Sequence, residues 1–167
     1  KDSLPVLEGE VVDGTFMSVA ALEEFIAKEI ARAKEKDVLF SVHLKATMMK
    51  VSDPIIFGHV VRVFFKDVFD KFGAQLRAAG LSPNDGLGTI FTALDEGKVE
   101  DAAEIRKAFA DAITAGPRLS MVDSDRGITN LHVPSDVIID ASMPAMIRNG
   151  GKLWGPSGEE DDTIAVI

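Results

Sequence analysis

Lysines and carboxylates are the abundant side chains in this sequence that can move a proton or hold a hard cation. Among 167 residues there is no cysteine and no tyrosine, and His43, His59 and His132 are the only histidines. Thiolate nucleophiles, sulfur-ligated metals and disulfide frameworks are thereby excluded, and a cysteine-free chain fits a reducing interior such as the cytoplasm. The stretch "HLKATMMKVSDP", from His43 to Pro54, sets Lys45 directly after an apolar run and follows it with Lys50 across alanine, threonine and two methionines. Burial disfavours an amine's charged form, and a neighbouring carboxylate then lets it serve as a proton shuttle. The competing reading is a strand-end lysine whose stem covers apolar surface while its head stays in water. Residue types alone leave both open.

A second stretch, "PSDVIIDASMPAMIRNGG", carries Asp136 and Asp140 among Val137, Ile138 and Ile139. With Ser135 as a helix cap, the two carboxylates fall at i and i+4 on one helical face, where they repel unless a cation joins them. Magnesium and manganese take one or two protein carboxylates together with waters and substrate oxygens, a role open to Asp140 and, beside it, Asp136. The plainer reading makes Asp136 an N-terminal helix charge and Asp140 a solvated residue. Pro144 is expected to kink or restart that helix.

Other motifs carry less. Gly86 and Gly88 supply half of a G-x-G-x-x-G pattern, with Phe91 at the third glycine and no strand before them, so no nucleotide site is predicted there. "DSD" at Asp123 to Asp125 lacks the further ligands of a calcium loop and reads as a capped turn. His59 falls within a buried helical pattern, where a packed, hydrogen-bonded role is expected, and His43 and His132 are too isolated to define a zinc site.

The elements that must position these groups alternate along the chain. Ser18 caps a predicted helix with apolar residues at Leu22, Phe25, Ile26, Ile30 and Ala33. "VLFSVHL" is a predicted strand, with Val38, Phe40, Val42 and Leu44 on one face and Leu39, Ser41 and His43 on the other, so Lys45 lies at its end. "SDPIIFGHVVRVFFKDVFDKFG" predicts one mostly buried helix, with Asp53 as its cap and Pro54 in its first turn. Shorter helices are expected around Thr89 to Glu96 and from Val99 to Ala115, closed by Gly97 and Gly116. "LSMVD" and the alternation Thr129, Leu131, Val133 predict two strands about the turn "SDRG". The acidic "GPSGEEDD" reads as an exposed turn. Interleaved strands and helices predict an α/β domain, a mixed or parallel sheet flanked by helices, spanning 1–167 as one unit.

Overall composition narrows the partners. A net charge of −9 and no basic stripe exclude duplex nucleic acid as a partner, because phosphate binding needs clustered Lys and Arg. Apolar runs are interrupted well short of a membrane span. The chain opens on Lys1 and stops on the strand-like "TIAVI", from which a piece of something longer is expected.

The stretches "HLKATMMKVSDPIIFGHVVRVFF" and "DSDRGITNLHVPSDVIIDASMPAMIRNGG" closely resemble monomeric-type bacterial NADP-dependent isocitrate dehydrogenase, and nearly the whole chain is similar to an internal part of its large domain. The resemblance implies one lobe of an isocitrate/isopropylmalate dehydrogenase-like fold. It also implies a part in the oxidative decarboxylation of isocitrate to 2-oxoglutarate and carbon dioxide, with NADP as hydride acceptor and Mg or Mn as the metal, in a cytoplasmic monomer of the tricarboxylic acid cycle and glyoxylate bypass. By the same resemblance Lys45 transfers the proton at the substrate's 2-hydroxyl, and Asp140 belongs to the metal site with Asp136 beside it. Lys45, Met49, Lys50, Asp136 and Asp140 also fit K-x-x-x-M-K and D-V-I-x-D-A elements of the homodimeric isocitrate dehydrogenases.

No tyrosine, NADP pocket or arginine-serine grip for substrate carboxylates is found in this stretch, and Arg126 and Arg148 do not substitute. The remaining domains of a parent chain must supply them, so the 167 residues alone are expected to be inactive. Two other readings stand beside this one: a stand-alone acidic binding module with a solvated Lys45, and a metal-dependent hydrolase built on Asp136 and Asp140 with His132 or Asp123 as further ligands.

Overall fold

In the computed structural model, which describes residues 3–167, a short central strand organises the chain. Helix α1 (Val19–Glu35) leads to strand β1 (Leu39–Val42), then to helices α2 (Ser52–Phe64) and α3 (Lys66–Ala78). A 3-10 turn at Pro83–Asp85 precedes α4 (Leu87–Asp95) and α5 (Ala102–Ala115). A small antiparallel hairpin, β2 (Met121–Asp123) and β3 (Ile128–Thr129), is followed by α6 (Ile139–Arg148), β4 (Lys152–Trp154) and β5 (Glu160–Val166). The main sheet runs β1-β5-β4, with β1 parallel and β4 antiparallel to β5, so the α/β sheet is mixed.

Every residue of β1 is buried, and its two faces serve different layers. Phe40, Val42 and Leu44 join the large core with Ile26 of α1, Phe57 and Val61 of α2, and Phe109 of α5. Leu39 faces the other way, into a small cluster with Met143 and Met146 of α6 and Leu153 of β4. The expected alternation along 38–44 is therefore the observed one, although the regular strand is shorter.

The hydrogen bonding of β1 explains why it can be central and yet so short. His43 donates its N–H to the Val166 carbonyl on the β5 edge. On the opposite edge three unrelated segments take turns. Phe40 pairs with Arg118 and Ser120 (2.8 and 3.0 Å), and Leu44 pairs with Val137 and Ile139 (3.5 and 3.0 Å). Between them the Asn130 side chain stands in for a strand: its Oδ1 accepts the Val42 N–H at 2.6 Å and its Nδ2 donates to the Val42 carbonyl at 2.8 Å. Asn130 is 1% exposed, so no water replaces it.

Several boundaries differ from the sequence reading. The buried helix expected from Asp53 onward is two, broken where Phe65 leaves helical space (φ −107°, ψ 34°) and its ring packs 5.1 Å from that of Phe109. The helix expected from Val99 begins at Ala102, because Asp101 adopts the left-handed conformation (φ 56°). Residues 130–132 turn rather than extend, so the second hairpin strand is Ile128–Thr129 alone. The acidic stretch is a turn only as far as Gly158; Glu160 to Asp162 pair with β4, and Arg118 binds Asp161 at 2.6 Å.

Gly86 needs its glycine. At φ 84° a Cβ would lie 2.0 Å from the His132 carbonyl oxygen, and that close approach lets Leu87 and Gly88 donate their N–H groups to the carbonyls of Leu131 and His132. The first donors of α4 are thus already bonded within the fold.

Replacing Asn130 with alanine strands two buried backbone groups and is expected to cost roughly 2–4 kcal/mol. Urea denaturation of wild-type and Asn130→Ala protein measures it; a loss under about 1 kcal/mol would show that Val42 finds other partners.

Candidate functional site

The end of the central strand is where the two groups singled out in the sequence meet. Lys45 Nζ lies 2.9 Å from Asp140 Oδ1, across 95 residues of chain. Both side chains keep access to solvent, at 35% and 50% relative exposure. A pair so exposed contributes at most about 1 kcal/mol to folding, so stability alone gives no reason for it.

Local structure fixes each partner separately. Beyond Leu44 the chain turns sharply: the Lys45 carbonyl accepts the N–H groups of Met48 and Met49 at 2.9 and 2.8 Å. The Lys45 N–H goes to Asp53 Oδ2 at 2.7 Å, and Asp53 Oδ1 accepts the Ser52 hydroxyl at 3.0 Å. Asp53, the cap of α2 by the sequence reading, lies instead inside the first turn and is 9% exposed, and the cap position falls to Val51, which offers no side-chain bond. Lys50 is exposed on the outside of the turn.

Asp140 is in the first turn of α6, where the helix dipole favours a carboxylate. That helix starts later than its sequence predicts. Residues 134–136 form a turn, and Ile138 is extended (φ −111°, ψ 143°) because it bridges to Leu44. The expected helical face shared by Asp136 and Asp140 therefore does not exist. Asp136 lines a different open cleft, with Arg106, Arg126 and His132, that includes neither Lys45 nor Asp140. Pro144, expected to break the helix, lies inside it and the helix continues to Arg148.

A buried relay ties the strand to α6. His43 is fully buried, two residues before Lys45; its Nδ1 lies 2.7 Å from Ser142 Oγ, two residues after Asp140, and its Nε2 contacts Ser41 Oγ. Ser142 donates its hydroxyl hydrogen to the Ile138 carbonyl at 2.5 Å, so it accepts from His43 Nδ1–H, and His43 Nε2 accepts from Ser41. Every atom of a neutral imidazole is then satisfied. Burial pushes the His43 pKa down from 6.5 to about 4, so the ring is neutral at physiological pH. His132 Nδ1 accepts from the Thr129 N–H at 2.9 Å, and His59 Nδ1 lies 2.8 Å from Glu23 Oε1; both roles are structural.

Among the described residues no three His, Asp or Glu side chains converge as a metal-binding group. Asp140 alone fits one donor position, and it already holds a cation, the Lys45 ammonium. A hard ion that takes one or two protein carboxylates is compatible with this, the other donors coming from substrate, water and other parts of a longer chain. His132 and Asp123 do not complete a hydrolase site. The sequence singles out Lys45 and Asp140, which the structure brings together, but it does not show the bonds of Asp53 to Lys45, eight residues away, or those of Ser142 and Asn130 to partners 99 and 88 residues away.

Comparisons with known proteins give the family. The family described as monomeric isocitrate dehydrogenase matches residues 1–167. The chain is 59% identical over 167 residues to isocitrate dehydrogenase [NADP] of Corynebacterium efficiens and 58% identical to that of Corynebacterium glutamicum. It is 52% identical to isocitrate dehydrogenase [NADP] of Azotobacter vinelandii. All of this chain is covered in each case, but only 23%, 22% and 22% of the relative, so it spans about a fifth of the length of the curated relatives it matches.

The neutral His43 has a consequence for pH. Well above pH 6.5 both the folded and the unfolded imidazole are neutral, and stability is insensitive to it. As pH falls from 6.5 toward about 4 the unfolded chain binds a proton that the folded one refuses, so stability is lost across that window. Urea melts between pH 7.5 and 5 are expected to show a shallower decline for His43→Asn than for wild type; equal slopes would mean that the ring is charged in the fold. With the strand-end lysine, its aspartate and the whole-chain match together, the chain belongs to the monomeric isocitrate dehydrogenase family.

Proposed function

We propose that these residues form part of an NADP-dependent isocitrate dehydrogenase, an internal α/β lobe that contributes Lys45 and Asp140 to the oxidative decarboxylation of isocitrate to 2-oxoglutarate and carbon dioxide. The observation that carries this reading is the 2.9 Å approach of Lys45 Nζ to Asp140 Oδ1 at the open end of β1. Full-length relatives bearing the name isocitrate dehydrogenase [NADP] support the activity of the parent chain.

In this reading Lys45 exchanges a proton with the substrate's 2-hydroxyl as hydride leaves C2 for NADP. Asp140 supplies one carboxylate oxygen to a bound Mg or Mn. That ion, when present, stabilises negative charge developing on the substrate's oxygens. Asp136 lines the cleft of Arg106, Arg126 and His132 and shares no helical face with Asp140, which leaves Asp140 the favoured donor in this reading. The Gly86–Gly88 turn has its backbone donors bonded and offers none to a phosphate, so this reading assigns the cofactor pocket to the rest of the parent chain. The grip on the isocitrate carboxylates is assigned there too. No helix of the described residues is long and apolar enough to cross a membrane, and the cysteine-free sequence accords with a cytoplasmic enzyme.

In the full-length chain, Lys45→Met is expected to lower kcat by about a hundredfold or more while leaving NADP affinity unchanged, because it deletes a proton-transfer group and no cofactor contact. Steady-state kinetics with a separate NADPH titration decide it, and retained turnover refutes the role. Asp140→Asn is expected to raise the Mg or Mn concentration needed for half-maximal activity, since a neutral amide is a poorer ligand for a hard cation. The 167 residues alone, mixed with isocitrate, NADP and Mn, are expected to form no NADPH; steady NADPH formation, followed by its absorbance, would overturn the division of labour between this lobe and the rest of the parent chain.

A further inference from the structure

We infer that Asp53 is a positioning residue for Lys45: its buried carboxylate holds the lysine's backbone N–H and so sets where the amine can reach. The inference rests on the proton-transfer reading of Lys45 and adds a residue to it.

The edge of β1 that bonds β5 supplies the first observation. His43 donates to the Val166 carbonyl on that edge at 2.8 Å. Two residues on, the N–H of Lys45 faces the same way by strand alternation, and its acceptor is the Asp53 carboxylate at 2.7 Å. Asp53 thus extends the ladder by one rung at the place where the chain leaves the sheet.

The second observation is that little else holds the turn. Thr47, Met48, Met49, Lys50 and Val51 are all exposed, and only Ala46 is buried. Without apolar side chains to anchor it, the segment 45–51 depends on its hydrogen bonds. Two of these end on the Lys45 carbonyl, one joins the Asp53 N–H to the Met49 carbonyl at 3.2 Å, and one runs from the Lys45 N–H to the Asp53 carboxylate, whose other oxygen is fixed by Ser52. Among the described residues this carboxylate, 9% exposed, accepts a backbone N–H and a neighbouring hydroxyl and makes no ion pair, so its strong bonds go to geometry.

Asparagine separates this role from a helix-dipole charge. The Asp53→Asn side chain keeps an acceptor oxygen for the Lys45 N–H, and its amide can donate to Ser52, whose hydroxyl rotates to accept. Alanine removes both. In the full-length enzyme, Asp53→Ala is expected to lower kcat by about tenfold or more, with KM for isocitrate changed by less than about threefold, because a displaced amine misses the reacting hydroxyl. Asp53→Asn is expected to keep kcat within about threefold of wild type. Melting temperatures of all variants are measured and kinetics run well below them. If Asp53→Ala does not fold, Asp53→Asn decides: kcat near wild type supports the inference and a tenfold loss overturns it. Lys45→Met made in parallel separates two failures. If it retains turnover, the reading of Lys45 is wrong; if it is inactive while Asp53→Ala keeps its kcat, the inference about Asp53 alone is wrong.

Discussion

A backbone buried on both edges must bond on both edges, and meeting that demand at β1 decides most of this structure. Its odd-numbered residues pair with β5, a regular parallel neighbour. Its even-numbered residues meet no continuous strand, so backbone from 118–120, the Asn130 amide and backbone from 137–139 complete the edge in turn. Each of these pieces must arrive in register for the others to fit, because an unpaired buried amide or carbonyl costs on the order of 1–3 kcal/mol. The constraint therefore recruits residues spread from position 118 to position 139 around a strand of four.

The same constraint assembles the site. The Leu44–Ile138 bridge delays the start of α6, which places Asp140 in the first turn of that helix. The His43 relay to Ser142 then fixes the helix against the other face of the strand. Lys45 and Asp140 are each one or two residues from these buried links. An ion pair half open to solvent is too weak to draw its partners together. The scaffold brings them together, and the pair is a result of that.

How much of this could be read in the sequence follows from the range of each interaction. Ser18 capping α1 and the alternation along 38–44 are local signals, and the structure has both. The end position of Lys45 follows from that alternation. Asp140 stands out by its type and surroundings, but the sequence misplaces the helix that would join it to Asp136. Ser135 and Asp136 are good N-terminal residues by local propensity, whereas Val137 and Ile138 are claimed by Leu44, more than ninety residues earlier in the chain. β4 has only three residues, too few for a period, and its existence depends on β5. Asp53 shows the same limit. Aspartate before proline is a strong cap signal, and only the fold reveals that its oxygen serves the turn behind it.

Lysine is a poor choice where precision is needed, since its long stem carries about 2 kcal/mol of rotamer entropy. The structure reduces the difficulty by dividing it. At the backbone nothing is left free: the N–H is bound to Asp53 and the carbonyl to Met48 and Met49. Only the four-carbon stem then varies, and its range is cut further by partial burial and by Asp140 at its tip. Asp140 has a shorter side chain on a helix whose start is fixed. An amine held in this way can reach only a small volume around Asp140. Anchoring the main chain thus lets a flexible side chain present its head at a defined point of the surface.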